Sequence, residues 1–154
     1  MQIHPSLVMV PDPRLRQTCV ELTKKGDELT ALISLMREVM TVCRDAGVHA
    51  VAIAAPQVGV LERLIVIESQ NFDAVVINPV ILKSSGTQKN LEGCLSFPPG
   101  TKYEVERPDL VKFRYIDQHG FSHTQKFHGF YAAVILHEID HLDGILMDDN
   151  GMPR

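Results

Sequence analysis

The chain has 154 residues, of which 45% are hydrophobic, which is enough for one buried core but too little for two ordinary domains. We therefore expect a single domain over residues 1–154. The formal net charge is -4 at pH 7, and the 15 Lys and Arg residues are scattered along the chain. This charge pattern argues against nucleic acid as the main ligand.

Two further features bear on location. The N-terminus, Met1 to Pro5, has no basic segment followed by an apolar core, so we expect no secretory signal, and no apolar run reaches membrane-spanning length. The cysteines, Cys19, Cys43 and Cys94, are odd in number and widely spaced, which favours reduced thiols over a disulfide framework. We expect a cytoplasmic protein with no membrane partner. If the source is viral, the location would be the cytoplasm of the host, and an organelle is left open.

The first predicted element is an amphipathic helix. From Gly26 to Cys43 apolar residues recur at helical spacing, and the pattern stops before Gly47. Short segments with β-type patterns follow, at Val51 to Ala55, Leu64 to Glu68, and Ala74 to Ile77, the last ending at Asn78-Pro79. A helix followed by several short strands is thus expected in the first half of the chain.

The second half begins with a predicted hairpin. Leu110 to Ile116 and Phe121 to Phe127 flank the turn residues Asp117 to Gly120. A second helix is predicted from about Phe130 to Leu142. Together these elements predict an α+β fold, in which mainly antiparallel sheets pack around the second helix and the amphipathic helix lies near the N-terminus.

The second helix carries the run His137-Glu138-Ile139-Asp140-His141. Residues four apart lie on one face of a helix, so both imidazoles can bind the same metal ion, with Glu138 beside it. A metal ion with an open position, a bound water and a carboxylate to take the water's proton is the arrangement of a hydrolase. A structural zinc site is the alternative, but such sites usually fill all four positions with Cys and His.

A catalytic ion needs a third protein ligand. Met147 stands where one group of zinc proteases has its third histidine, and too few residues follow His141 for a downstream helix carrying a glutamate. The best upstream candidate is Cys94, whose thiolate would leave the fourth position open. Other candidates remain, namely His119, His123, His128 and the aspartates after His141.

Three segments together resemble the motifs of the peptide deformylase family, which are GxGLAAxQ, EGCLS and HExDH. The second motif is intact at residues 92–96 and the third at residues 137–141. The first lies at residues 50–57, where Ala-Ala-x-Gln matches but Ala50 and Ala52 replace the two glycines. The order of the segments along the chain also fits the family.

The resemblance implies a metal-dependent hydrolase that removes the N-formyl group from the formyl-methionine of newly made polypeptides and releases formate. It implies one divalent ion, typically Fe²⁺ with Zn²⁺, Ni²⁺ or Co²⁺ as substitutes, held by Cys94, His137 and His141. Glu138 would act as general base and then as acid. The Gln57 side-chain amide and the Leu95 backbone N–H would stabilise negative charge on the formyl oxygen.

The resemblance also guides expectations for the substrate. An extended peptide would pair as an added strand near Val51, and Gly93 would allow close approach of its backbone. The methionine side chain needs an apolar pocket, for which we expect Phe97, Phe130, Ala133 and Val134.

The sequence also bears on partners and on alternative functions. The chain stops soon after His141, so we expect no C-terminal extension of the kind that contacts the ribosome in some relatives, and ribosome association is left open. A zinc endopeptidase is disfavoured by the missing downstream ligand. A non-catalytic binding homologue is disfavoured because Glu138 and all three expected ligands are present.

Overall fold

The structure is a computed structural model that describes residues 2–154. Its helices are α1 (Gly26–Asp45), α2 (Gly129–Leu142) and the short α3 (Met147–Asn150). Its strands are β1 (Ala52–Ala54), β2 (Leu64–Glu68), β3 (Asp73–Ser85), β4 (Gln88–Glu92), β5 (Tyr103–Arg107), β6 (Leu110–Ile116), β7 (Ser122–His128) and β8 (Gly151–Pro153). Within the described residues, no helix combines the length and the apolar character needed to cross a membrane.

The strands form two sheets. Five strands pair in the order β1-β2-β3-β6-β7, and three pair in the order β4-β5-β8. Every neighbouring pair of strands is antiparallel. The predicted α+β fold with mainly antiparallel sheets is therefore confirmed.

The five-stranded sheet is covered by a helix on each face. Successive side chains of a strand point to opposite faces, so β2 contributes to two cores. Leu64 and Val66 pack in the cluster that contains the buried residues of α1, whereas Ile65 and Ile67 pack in the cluster that contains those of α2. Burial on both faces explains why β2 is continuously apolar. The helix α2 also contacts the three-stranded sheet, through His137 to Glu92 on β4 and Asp140 to Arg107 on β5, so the two sheets pack around it as predicted.

Sequence patterns predicted the bounds of most elements closely, but those of β3 poorly. The predicted end of this strand at Asn78-Pro79 was wrong, since β3 continues to Ser85. Asn78 adopts a left-handed conformation with φ of 50°, and the pairing with β6 shifts register between Ile77 and Val80. A bulge of this kind lets a proline lie within a strand, because it interrupts the regular ladder of hydrogen bonds.

Candidate metal centre and active site

The helix α2 brings three ionisable side chains into the protein interior. His137, Glu138 and His141 are 9%, 5% and 1% exposed. The two imidazole rings lie one helical turn apart, with their centroids separated by 5.1 Å. Burial lowers the pKa of His141, which keeps this imidazole in the neutral form that binds metal ions.

Cys94 reaches the two histidines from the loop after β4. Its Sγ lies 3.4 Å from His141 Nε2. The ligand atoms of Cys94, His137 and His141 all lie within 4.8 Å of one another. A thiolate and two imidazoles at this separation fit one divalent ion and leave a fourth position for water or substrate.

The alternative third ligands lie elsewhere. His123 is at the hairpin of β6 and β7, where its Nε2 lies 2.7 Å from Asp117 Oδ2. Within the described residues, the group formed by Cys94, His137 and His141 is the only cluster of three or more side chains with metal-binding geometry. The structure thus favours Cys94 over the other candidates.

His137 is oriented by a buried ion pair that sequence analysis did not identify. Its Nδ1 lies 2.9 Å from Glu92 Oε1, and Arg107 donates to both oxygens of Glu92 at 2.6 and 2.9 Å. Burial would raise the pKa of Glu92, but hydrogen bonds from Arg107 and His137 outweigh it and lower the pKa. A charged carboxylate accepts a hydrogen bond from Nδ1–H, which leaves Nε2 of His137 for a metal ion.

Glu138 has the environment expected of a general base. Among the described residues, its Oε1 has no hydrogen-bond partner although it is buried. Burial raises the pKa of Glu138 to about 7. A carboxylate with a pKa near neutrality can both accept and return a proton under ordinary conditions.

Gln57 lies beside the cysteine, in the turn that follows β1. Its Oε1 accepts a hydrogen bond from the Ala54 N–H at 3.0 Å, which fixes the orientation of the amide. Its Nε2 donates to Ser96 Oγ at 3.1 Å and lies 3.7 Å from Cys94 Sγ. The amide N–H groups therefore point toward the candidate metal site, and Ser96 contributes to holding them there.

The loop of the second motif also presents a backbone donor. Within residues 2–154, no backbone acceptor pairs with the N–H of Leu95, the residue after the cysteine. The N-terminal segment fixes this loop against the Gln57 turn, because Val8 N–H donates to Gln57 O at 2.7 Å and Val10 N–H donates to Ser96 O at 2.8 Å. No sequence pattern predicted these contacts of the N-terminal segment.

A cavity of about 470 Å³ opens beside these groups. All six residues expected to bind substrate line it, namely Val51, Gly93, Phe97, Phe130, Ala133 and Val134. Gln57, Cys94, His137 and Glu138 line it as well. Sequence analysis missed further lining residues, including Leu7, Met9 and His49, because the N-terminal segment and the α1–β1 loop reach the cavity only through the fold.

The edge of the five-stranded sheet borders this cavity. Strand β1 ends the strand order of that sheet, so its outer edge has no neighbouring strand among the described residues. Val51 immediately precedes β1 and lines the cavity together with Ala52. The edge of β1 that has no neighbouring strand among the described residues therefore lies beside the cavity.

Comparison with known proteins identifies the family. A model of the polypeptide deformylase family matches residues 5–153. The peptide deformylase of Clostridium botulinum is 41% identical over 138 residues, which cover 90% of this chain and 90% of that protein. The peptide deformylase of Rickettsia akari is 39% identical over an alignment of 160 positions, which covers 97% of this chain and 87% of that protein.

Solved structures of peptide deformylases are also similar to this chain. A peptide deformylase from Synechococcus elongatus, in complex with actinonin, has a TM-score of 0.87 and 36% identity, covering 96% of this chain and 79% of that chain. The peptide deformylase from Thermotoga maritima has a TM-score of 0.83 and 34% identity, covering 94% of this chain and 95% of that chain. The chain therefore belongs to the polypeptide deformylase family, the metal-dependent hydrolases that remove the N-formyl group from newly synthesised polypeptides.

Proposed function

We propose that the chain performs deformylation with Cys94, His137 and His141 as metal ligands and Glu138 as the proton carrier. The observation that carries this proposal is the convergence of three ligand atoms within 4.8 Å of one another, two of which belong to Cys94 and His137 in the lining of the cavity. When bound there, a divalent ion supplies Lewis acidity, which lowers the pKa of water and polarises a carbonyl oxygen.

Glu138 moves the proton in this scheme. Its carboxylate accepts a proton from the attacking water as the water oxygen bonds to the formyl carbon. The same carboxyl group then delivers that proton to the amine nitrogen as the C–N bond breaks, which releases formate and a free N-terminus. A pKa of about 7 supports both roles near neutral pH.

Gln57 and Leu95 act on the formyl oxygen. The Gln57 amide N–H and the Leu95 backbone N–H donate hydrogen bonds to this oxygen as negative charge develops on it. The fixed orientation of Gln57, whose Oε1 is held by Ala54 N–H at 3.0 Å, supports this role because a donor that is already oriented needs no rearrangement during the reaction.

The substrate binds as an extended formyl-methionyl peptide. Its backbone pairs with the free edge near Val51 and passes close to Gly93, where a Cβ would lie 2.8 Å from Lys102 Nζ. Its methionine side chain occupies the apolar part of the cavity lined by Phe97, Phe130, Ala133 and Val134.

The native ion in this proposal is Fe²⁺, with Zn²⁺, Ni²⁺ or Co²⁺ able to substitute. One thiolate and two imidazoles suit each of these ions, so the donor set supports the proposal without selecting the metal. Metal analysis of anaerobically purified protein, paired with formate release, is the test. Full activity in preparations that contain only zinc would contradict the assignment of iron.

We also propose that residues 1–154 form one catalytic domain that acts in the cytoplasm on nascent polypeptides. The match of the family model to residues 5–153 supports the single domain. The net charge of -4 supports the absence of a nucleic-acid partner. Ribosome association is left out of the proposal.

Formate release from a formyl-Met-Ala-Ser peptide by the iron-loaded protein tests the ligand assignment. Cys94→Ala should lose both the ion and activity, because two imidazoles alone bind the ion weakly. Cys43→Ala is the matched control, since Cys43 is equally a free cysteine but is buried on α1. Retention of the ion and of activity by Cys94→Ala would contradict the proposal.

A further inference from the structure

A ring of buried and half-buried polar contacts joins α2 to the three-stranded sheet. His137 and Asp140 lie three residues apart on α2, so both face the small sheet. Between them lie Glu92 on β4 and Arg107 on β5. His137 Nδ1 contacts Glu92 Oε1 at 2.9 Å, and Arg107 Nη1 donates to Asp140 Oδ2 at 2.9 Å.

Each member of the ring limits the freedom of the next. Arg107 is 6% exposed and donates through Nε and Nη2 to Glu92 and through Nη1 to Asp140. The guanidinium is planar, so a contact that fixes Nη1 also fixes the direction of the two donors that hold Glu92. Asp140 is thereby linked through Arg107 to Glu92, the residue that contacts His137 Nδ1.

The last residue of α3, Asn150, contacts the ring from outside. Asn150 Nδ2 donates to Asp140 Oδ2 at 3.1 Å, the same oxygen that Arg107 contacts. The next three residues form β8, which pairs with β5, the strand that carries Arg107. At Gly151 a Cβ would lie 2.7 Å from Glu104 O, so this pairing is close enough to require glycine.

We propose that Asp140 and Asn150 are positioning residues of the metal centre, which act on His137 through Arg107 and Glu92. This inference rests on the proposed role of His137 as a metal ligand. Partners that orient a metal-bound histidine typically change metal affinity or activity by about 10- to 100-fold. Asp140 and Asn150 lie further from the ring nitrogen, so we expect smaller effects of about threefold to tenfold.

The rate at which the cobalt-loaded protein releases Co²⁺ to excess chelator tests the proposal, together with the visible absorption spectrum of the bound cobalt. Asp140→Asn should release the ion about threefold to tenfold faster and shift the ligand-field bands, because the donor geometry changes. Asn150→Ala should change both readouts in the same direction by a smaller factor. In both variants kcat should fall while KM for a formylated peptide stays at the parent value.

Asp143→Asn is the matched control. Asp143 caps the same helix and accepts a hydrogen bond from Arg63 at 2.9 Å, but this pair does not contact Glu92, Arg107 or His137. Asp143→Asn should keep the parent's release rate and spectrum. Asn150 is exposed, so Asn150→Ala decides the question even where Asp140→Asn fails to fold.

Two results would overturn the inference in different ways. If Asn150→Ala and Asp140→Asn release Co²⁺ at the parent rate with unchanged spectra, the contacts are only structural and the ligand assignment survives. If the parent itself binds no cobalt, the ligand assignment fails and the positioning role fails with it.

Discussion

The two long helices stabilise the protein in different ways. Helix α1 buries six of its 20 residues, and all six are apolar or cysteine: Leu32, Ile33, Met36, Val39, Met40 and Cys43. Helix α2 buries nine of its 14 residues, and three of these are His137, Glu138 and His141. Thus α1 is an ordinary amphipathic helix, whereas α2 carries ionisable groups into the core.

The burial on α1 chiefly stabilises the fold, whereas the burial on α2 places ionisable groups at the candidate site. Burial of apolar side chains, as on α1, favours folding by about 1.5–3 kcal/mol for each large side chain. Burial of an ionisable group costs free energy unless hydrogen bonds, an opposite charge or a metal ion compensate. On α2 the pair of Glu92 and Arg107 compensates for His137, but no partner among the described residues compensates Glu138 Oε1. Substitutions on the two helices should therefore change different properties.

The largest effect is expected at Glu138. Glu138→Gln should lower kcat by about 10²–10⁴-fold, because the amide cannot carry the proton, while the bound metal is retained. The melting temperature should stay equal or rise, since the amide removes a buried carboxylate whose pKa is raised to about 7. Steady-state formate release and thermal unfolding measure the two effects. A variant that is active, or that loses several degrees of stability, would contradict this view of α2.

The next effect concerns the ion pair that supports α2. Arg107→Met should lower the free energy of unfolding by about 3–5 kcal/mol, because Glu92 is left buried and charged without its partner. Arg14→Met is the control, since the pair of Arg14 with Asp12 is exposed and should contribute at most about 1 kcal/mol. Urea unfolding of both variants measures this. Equal losses at the two sites would show that burial of the pair is irrelevant.

A cavity on α1 should change stability alone. Met36 is fully buried, and Met36→Ala should lower the free energy of unfolding by about 2–5 kcal/mol. The values of kcat and bound metal per protein should not change, because Met36 packs on the sheet face opposite to α2. Ser34→Ala on the exposed face of α1 is the control. A fall in kcat at full metal loading would show that the helices are coupled more strongly than their separate clusters suggest.

The smallest effect is a pH dependence of the free energy of unfolding, which arises from contacts of the segment that precedes α1. Burial would raise the pKa of Glu62, but hydrogen bonds from Lys24 and Thr23 outweigh it and lower the pKa from 4.5 to about 2. Because the folded protein binds this proton less readily than the unfolded chain, the stabilisation is complete above about pH 4.5 and is lost as the pH falls toward 2.

Unfolding free energies of the parent and Glu62→Gln between pH 2 and pH 7 measure this contribution. The parent should be the more stable protein above pH 4.5, and the difference should shrink steadily in acid. A difference that stays constant over this range would mean that the hydrogen bonds, rather than the charge, stabilise the segment before α1.

Local patterns were sufficient for much of the fold. The helical period predicted α1 and α2, and β2 was predicted with the bounds that the structure has, Leu64–Glu68. In these elements the apolar residues follow one spacing from end to end. That spacing is visible among neighbouring residues, so it predicts the element without knowledge of the fold. Strands β4, β5 and β8 were not predicted. The sequence of β4, Gln-Lys-Asn-Leu-Glu, has too few apolar residues for a clear alternation, and β8 has only 3 residues.

The features of the candidate site likewise fall into those that the sequence predicts and those that depend on the tertiary structure. The sequence by itself determined that His137 and His141 share a helical face with Glu138 beside them, because four residues nearly complete one helical turn. It also supplied the family motifs that indicated Cys94 and Gln57. Only the tertiary structure decided that Cys94 Sγ lies 3.4 Å from His141, that Glu92 and Arg107 orient His137, and that the N-terminal segment fixes the Gln57 turn. These contacts join residues far apart in the chain, and their distances depend on how the two sheets pack against α2, which no local pattern encodes.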